Sequence, residues 1–344
     1  MEHPLRVEEF SPAEAAPTAP AELVADAAPA TAAHATSLPP LPNLPASDVL
    51  FLKPTDAHYA DYLAAANIRT RLNPALRAVC QTEHAVAVMV DWVRGNNLNF
   101  AVRCGGHSYE GLSQSVDVVI DVRGLDTITV DKSAGLVTAG SGASLYQIYQ
   151  AIAAQGLALQ AGSCPTVGMS SPLSVQSLGF LDAVKHFAGP LAYEQVYMKA
   201  KSDYALSPLG SAGIDAMMAA VAPVVAGGIV LLCDSYGGKI SDVAADATAF
   251  PRRAGTQYCI QYYSSWIRAA DTPAHLAQVA KVYAAMRPYL PGASYVNYCD
   301  LDLPDYAAAY WGDNLARLMA VKQHYDPDNL FYHAQSVPVS VPTV

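Results

Sequence analysis

A turn with two glycines and a histidine is the first place in this chain where residue types and spacing could support chemistry. It reads Gly105-Gly106-His107-Ser108-Tyr109-Glu110 and follows a predicted strand. The two glycines let the backbone turn tightly and approach a ligand without Cβ clashes, and the free N–H groups can point at an anion such as a pyrophosphate. His107 lies at the edge of this turn. Because most Gly-Gly-His turns are plain connections, the turn needs a second element before it indicates a site.

Two later segments supply that second element. Gly162-Ser163-Cys164-Pro165-Thr166-Val167-Gly168 places a cysteine among small residues, and Tyr295-Val296-Asn297-Tyr298-Cys299-Asp300-Leu301-Asp302-Leu303 contains an Asn-Tyr pair. Together with Arg103-Cys104-Gly105-Gly106-His107-Ser108-Tyr109-Glu110-Gly111 upstream, these ordered motifs resemble those of the berberine bridge enzyme-like FAD-linked oxidases. The resemblance implies a PCMH-type FAD-binding fold with FAD as the cofactor.

The same resemblance assigns candidate cofactor contacts. In that family the histidine of the Gly-Gly-His turn is bonded to the flavin 8α-methyl group, and the cysteine of the Cys-Pro-Thr-Val-Gly motif is bonded to flavin C6. The matching residues here are His107 and Cys164. A lone cysteine is usually a buried small hydrophobe, but the surrounding motif favours attachment. The resemblance therefore predicts FAD held by two covalent bonds, with further contacts from Arg103, Gly105, Gly106, Ser108, Val167, Gly168 and Asn297.

Tyr298 is the candidate base. Oxidation by hydride transfer to a flavin requires a group that takes the hydroxyl or phenolic proton as the C–H bond breaks. A tyrosinate whose pKa is lowered by nearby positive charge or hydrogen bonds can do this. Tyr298 matches the position of a flavin-adjacent tyrosine in the family. The chain has 20 tyrosines, and a packed ring with a satisfied hydroxyl is the alternative for each of them.

Tyr262 is the second candidate catalytic residue. It lies on a predicted strand whose alternation points Gln261 and Tyr263 to one face and Tyr262 to the other. One of the two tyrosines is expected to face the substrate. Tyr262 aligns with the family's substrate-side aromatic residue, and packing in the core is an equally open reading of the same position.

Hydrophobic periodicity predicts the elements that position these residues. Apolar residues recur at helical spacing along 83–94, Gly95 ends that helix, and a strand at 99–102 leads into the glycine turn. Further helices are predicted at 56–66, 145–155, 179–187, 211–221, 272–287 and 314–325, and further strands at 117–122, 127–130, 136–139, 229–236 and 258–263. The pattern predicts an α+β fold that includes an antiparallel sheet covered by helices on one face. The family resemblance identifies the two parts as a PCMH-type FAD-binding domain and a substrate domain.

The predicted organisation has four parts. Residues 1–47 form an Ala- and Pro-rich leader that is expected to be disordered, and 48–171 form the FAD-binding domain. Residues 172–293 form the substrate domain, and 294–338 form the berberine-bridge-type segment that returns to the FAD-binding domain.

The composition of the chain indicates which classes of partner and ligand are unlikely to bind it. Hydrophobic residues make up 52% of the chain and charged residues 15%, which indicates a well-buried globular protein. A formal net charge of −10 without a basic run argues against nucleic acid or an anionic membrane as partner. The six cysteines are scattered and show no zinc-ligand spacing, so no metal site is expected. Without a signal peptide or membrane span the sequence predicts a soluble, cytoplasmic protein, although the redox state of the cysteines stays open.

The resemblance is interrupted after Ser171. The family continues there through a long stretch of the flavin domain, whereas this chain runs directly into sequence that resembles the second domain. Two readings follow. One is an FAD-dependent oxidase that oxidises an alcohol, sugar or secondary-metabolite substrate, with O2 as electron acceptor giving H2O2. The other is a truncated, non-catalytic family remnant that binds no flavin.

Overall fold

The computed structural model describes residues 38–158, 195–224 and 227–340. The helix predicted at 179–187 and the Cys164 motif lie outside the described residues. Within the described ranges, no helix is both long enough and apolar enough to cross a membrane.

The first unit is built on a four-stranded sheet that is mostly parallel. Its spatial order is β1-β2-β4-β3, with β1 antiparallel to β2 and the other neighbours parallel. The strands are β1 Val49–Leu52, β2 Leu76–Cys80, β3 Phe100–Arg103 and β4 Val118–Asp121. Helix α1, Glu83–Gly95, packs its buried residues Ala85, Met89 and Val93 against this sheet. The Gly-Gly-His turn follows β3 directly, at the carboxyl end of the parallel strands, where ligands bind in many α/β sheets.

A small hairpin and a helix extend this unit. Strands β5, Ile128–Asp131, and β6, Leu136–Ala139, pair antiparallel. Helix α2, Leu145–Ala153, begins with a capping box in which the side chains of Ser144 and Gln147 each bind the other residue's backbone N–H. Its buried face packs against the hairpin.

The second sheet has three antiparallel strands in the order β7-β9-β8. They are β7 Tyr197–Ala205, β8 Ile229–Ser235 and β9 Tyr258–Trp266. Helices α3, Gly210–Val221, and α4, Thr272–Met286, cover one face of this sheet and form a core with it. Together the two units give the α+β fold that the sequence predicts, including the helix-covered antiparallel sheet.

The C-terminal segment crosses between the two units. It contains helix α5, Tyr306–Trp311, and helix α6, Leu315–Tyr325. Before α5, the Ser294 hydroxyl donates to the carbonyl oxygen of Ser202 on β7 at 2.8 Å. This return path brings Asn297 and Tyr298 close to the glycine turn.

One predicted helix is wrong. Residues 56–66 contain only a single 3-10 turn, Ala60–Tyr62. The carbonyls of Tyr62 and Ala64 accept hydrogen bonds from the Arg103 side chain. Backbone acceptors used in this way hold the segment as an irregular loop over the glycine turn.

Candidate functional site

The glycine turn is supported from below by a buried arginine. Arg103 is 2% exposed and donates to the carbonyl oxygen of Tyr62 at 3.1 Å and to that of Ala64. Burial, with Arg123 and Arg77 nearby, lowers the pKa of Arg103 to about 9. Its Nε has no hydrogen-bond partner among the described residues. Arg103 therefore stabilises the turn through hydrogen bonds to the segment above it. Its contact with the cofactor remains a prediction.

Gly106 is the glycine that the turn requires. Its φ is +74°, a conformation that side chains disfavour, and a Cβ added there would lie 2.5 Å from Nη2 of Arg103. Any larger residue would displace the guanidinium from the two carbonyls. The structure thus gives a packing reason for the second glycine of the motif.

His107 is held as a neutral imidazole. Burial first, and then the positive charge of Arg103, lower the pKa of His107 from 6.5 to about 4. At neutral pH one ring nitrogen is therefore unprotonated. A neutral nitrogen is the form that can bond to carbon, so the environment of His107 fits its predicted attachment to a flavin methyl group.

The C-terminal segment lies against this turn. Ser108 Oγ is 3.9 Å from Cys299 Sγ, and the ring of Tyr109 stacks on that of Tyr298 with centroids 5.8 Å apart and planes 3° apart. Two predicted site regions, separated by about 190 residues in the chain, are thus brought together. The third region, with Cys164, Val167 and Gly168, lies outside the described residues.

Strand β9 provides a third side of the site. Gln261 donates from Nε2 to the hydroxyl of Tyr109 at 3.1 Å. Asn297 is exposed at the rim and donates from Nδ2 to the Tyr295 hydroxyl at 2.7 Å. We define the site cluster as Tyr109, Gln261 and Tyr298, together with Asp234 from β8.

The expected lowered pKa of Tyr298 is wrong for the described structure. Burial raises its pKa far above 10, and the neighbouring hydroxyl of Tyr109 and carboxylate of Asp234 raise it further. Tyr298 is therefore a neutral phenol. Its hydroxyl is hydrogen-bonded to Asp234, and burial raises the pKa of that carboxyl group above its usual 3.8. Asp234 was not foreseen from the sequence, because its orientation depends on how β8 pairs with β9.

Tyr262 does not face the site. It is fully buried on the helix-covered face of β9, and its hydroxyl donates to Asp203 Oδ2 at 2.9 Å. The ring meets Tyr283 of α4 edge-on, with centroids 5.6 Å apart. The structure therefore corrects the assignment of Tyr262 to catalysis and favours the core alternative. Gln261, the adjacent residue on the opposite face, is the one that reaches the site.

A network of six charges, in which only Asp302 is mostly exposed, surrounds the other end of the turn. Glu110, next to Tyr109, pairs with Arg69 at 2.8 Å and with Lys199 at 2.6 Å. The network is completed by contacts of 2.7 to 3.1 Å that join Lys199 and Lys201 of β7 to Asp300 and Asp302. Burial acts to lower the pKa of Lys199, but Asp300 and Glu110 raise it overall. With three positive and three negative groups, this six-charge network fixes the turn to β7 and to the C-terminal segment.

Two families match this chain. The family described as FAD binding domain matches residues 74–186, and the family described as Berberine and berberine like matches residues 294–338. The first match contains the glycine turn and the second contains Tyr298. In these two segments the chain matches the berberine bridge enzyme-like FAD-linked oxidases.

Its relatives in Arabidopsis thaliana are much longer than the matched part. Berberine bridge enzyme-like 14 is 34% identical over 164 residues, which are 43% of this chain and 31% of the relative. Berberine bridge enzyme-like 25 is 35% identical over 162 residues, 42% of this chain and 30% of the relative. In these matches the chain spans about a third of the length of its curated relatives.

Solved structures of berberine bridge enzyme-like proteins share the fold of this chain. Wild-type Physcomitrella patens BBE-like 1 has a TM-score of 0.74 at 20% identity, covering 86% of this chain and 98% of the other. Berberine bridge enzyme from Eschscholzia californica has a TM-score of 0.73 at 18% identity, covering 85% of this chain and 96% of the other. These likenesses show an FAD-binding domain followed by an antiparallel sheet with covering helices.

Proposed function

We propose that this protein is an FAD-dependent oxidase that oxidises an alcohol, sugar or secondary-metabolite substrate. In this proposal FAD is bonded to His107 and Cys164, and O2 takes the electrons and leaves as H2O2. The observation that carries it is the contact between the glycine turn and the Asn297-Tyr298 segment, through the Tyr109–Tyr298 stack. A redox site of this family needs both segments at one place.

The described residues fit a flavin at this place. The neutral His107 suits attachment, and the close approach of backbone at Gly106 is kept free of a Cβ. Bound FAD would accept hydride from the substrate carbon and supply the redox chemistry. The site cluster would bind the substrate hydroxyl: Gln261 and the two stacked tyrosines offer polar groups on an otherwise aromatic wall.

The open face of β8 supports an organic substrate of moderate polarity. Val230 and Leu232 are 47% and 44% exposed, and Leu232 pairs with Gln261 in the sheet register. An apolar surface with few polar groups beside it is typical of small-molecule sites. These residues support a substrate that carries hydrocarbon or aromatic parts beside its hydroxyl group.

A truncated remnant that binds no flavin is the second candidate. The observation that favours this candidate is the short match: the chain spans only 31% of the length of the first relative that it matches. In this reading the missing part supplied strands and flavin contacts that nothing else replaces. The two candidates differ in whether the purified protein carries flavin.

Absorption before and after acid precipitation tests the proposal. Covalent flavin gives a visible band that stays with the precipitated protein. A colourless protein that takes up no colour from added FAD would contradict the oxidase proposal and support the remnant.

Variants of the two attachment residues test the linkage. We expect His107→Ala and Cys164→Ala each to keep flavin through the remaining bond, and only the double variant to release it on acid precipitation. Serine in place of the exposed Cys233 is the matched control and should change nothing. Release of all flavin from His107→Ala alone would show that Cys164 forms no second bond.

A further inference from the structure

We propose that a cavity beside the site cluster binds a small neutral aromatic group, such as a phenol or a phenol ether. This aromatic cavity lies between the loop at residues 249–251, the start of the C-terminal segment at 294–297 and the end of α5. Of the predicted site residues that the structure describes, only Asn297 lines it. The inference goes beyond the proposed function, because it concerns binding at a place that the proposed redox reaction does not require.

Four aromatic rings form the walls of the aromatic cavity. Phe250 comes from the loop, Tyr295 from the C-terminal segment, and Tyr310 and Trp311 from α5. Phe250 and Tyr295 meet edge-on with centroids 6.0 Å apart, and Tyr310 and Trp311 do so at 5.9 Å. Aromatic rings prefer edge-to-face and offset contacts with one another. The walls therefore favour a ligand that is itself a planar ring.

The volume of the aromatic cavity suits a small molecule. It is about 270 Å³, whereas an apolar protein cavity of about 150 Å³ is enough to bind benzene. One ring with substituents therefore fits. Ala249 and Asn297 are exposed and mark the side at which the cavity opens to solvent. A ligand can enter on that side without movement of the core.

The polar groups of the aromatic cavity are few and uncharged. Among the described residues that line it, none is charged. The Tyr310 hydroxyl is already used, because it donates to Gln335 Oε1 at 3.0 Å and accepts from the backbone N–H of Asp300 at 3.0 Å. The indole N–H of Trp311 has no hydrogen-bond partner among the described residues and is reached by solvent. This donor suits the oxygen of a neutral phenol, whereas an anion would be buried without a paired cation.

Arg252 follows the lining residue Pro251 in the chain, but its charge is engaged elsewhere. Its Nη2 donates to the carbonyl oxygen of Ala309 at 3.4 Å, and its guanidinium carbon lies 5.8 Å from the centroid of the Tyr204 ring. Neither Ala309 nor Tyr204 lines the aromatic cavity. A neutral ligand therefore remains the better match.

Tyr295 separates the aromatic cavity from the site cluster. Its ring lines the cavity and meets the ring of Tyr298 edge-on, with centroids 5.0 Å apart. Its hydroxyl accepts a hydrogen bond from Asn297 Nδ2 at 2.7 Å. A neutral ring can therefore come from two sources. It is a separate molecule, or it is the second ring of a substrate whose hydroxyl group lies at the site cluster.

Fluorine NMR of 4-fluorophenol tests this binding without using the flavin. Addition of the protein should shift and broaden the probe resonance in a saturable way. Ala249→Trp places a large side chain at the open side of the cavity, so we expect it to abolish this change. Ala247→Trp, exposed on the same loop but outside the lining, is the matched control and should behave as the wild type. The anion 4-fluorobenzoate should give no saturable change.

Turnover separates the two sources of the ring. If the aromatic cavity holds the second ring of a substrate, Ala249→Trp should raise KM for 4-(benzyloxy)benzyl alcohol and leave KM for 4-hydroxybenzyl alcohol unchanged. If the cavity holds a separate molecule, neither KM should change, and 4-fluorophenol should still bind in the presence of saturating 4-hydroxybenzyl alcohol.

Three results of the NMR experiment would overturn the proposal. They are no saturable binding of 4-fluorophenol to the wild type, equal binding to wild type and Ala249→Trp, and equal binding of 4-fluorobenzoate. Equal binding to Ala249→Trp would place the probe at the site cluster instead. The oxidase proposal would be unaffected by all three, because it is tested by the flavin that the protein carries.

Discussion

The imidazole of His107 shows how one side chain is prepared by its surroundings. The folded protein favours the neutral ring, with a pKa of about 4, whereas the unfolded chain has the ordinary value of 6.5. As the pH falls from 6.5 toward 4, the unfolded chain takes up the proton first. The free energy of unfolding therefore decreases across this window.

Replacing His107 removes this acid sensitivity. In protein prepared without flavin, where the ring is not attached, we expect His107→Gln to lose less stability than the wild type between neutral pH and about pH 4. Urea unfolding at the two pH values measures the difference, and His84→Gln, on the exposed face of α1, is the matched control. An equal loss in wild type and His107→Gln would mean that His107 titrates normally in the folded state.

For individual residues, the sequence predicted which chain segments carry the site better than it predicted the contacts that the site residues make. The glycine turn and Tyr298 were found because their motifs are local in the chain, and the structure brings them together. The roles of Gln261 and Asp234 depend on strand register and on contacts across more than 60 residues, which no local pattern contains. The pKa of Tyr298 is raised first by burial and then by Tyr109 and Asp234, so the sign of this shift could not be read from the motif.

At the scale of elements, the side chains of β9 alternate between the core on one face of the sheet and the site on the other. Ile260 and Tyr262 lie in the core beneath α3 and α4, and Gln261 lies on the site face. Helix α4 closes the core through buried residues that include Met286. The stability of this layer therefore determines how firmly the site face is held.

Truncation of Met286 measures that contribution. Met286→Ala should lower the free energy of unfolding by about 2–5 kcal/mol, because the residue is fully buried and its removal leaves a cavity. Met218→Ala on α3, where the side chain is 58% exposed, should change it by less than about 0.5 kcal/mol. Similar values for the two variants would show that α4 does not pack on the sheet as described.

Two of the strands that the sequence did not predict, β2 and β7, are buried on both faces. β2 and β7 lack a polar side that could mark them by alternation, and β7 carries Lys199, Lys201 and Asp203. Charged residues usually indicate an exposed segment, yet here they are buried and paired. The predicted four-part division of the chain stays a prediction, although the two sheets lie within the expected FAD-binding and substrate parts.

At the scale of the whole molecule, the six-charge network connects the first unit, the second sheet and the C-terminal segment, which are distant in sequence. Arg69 and Glu110 come from the first unit, and Lys199 comes from the second sheet. Asp300 comes from the C-terminal segment, and like Glu110 and Lys199 it is almost fully buried. Lys199 has Glu110 and Asp300 as partners from the other two parts, so it keeps both carboxylates only while all three parts are in place.

Lys199→Met tests how much the six-charge network stabilises the protein. Removing one buried partner leaves Glu110 and Asp300 poorly compensated, so we expect a loss of about 3–5 kcal/mol in the free energy of unfolding. Lys281→Met on the exposed side of α4 is the control and should have a small effect. A loss below about 1 kcal/mol for Lys199→Met, the range of a surface pair, would contradict the burial of the network.

The network also orders events during protein synthesis. Its acidic residues Asp300 and Asp302 are made about 190 residues after Glu110. While the ribosome is still translating the stretch between them, Lys199 has one carboxylate partner and Tyr109 has no Tyr298 to stack on. The nascent chain can therefore fold its first sheet early, but the contact between Tyr109 and Tyr298 in the proposed redox site forms only after the C-terminal segment has left the exit tunnel.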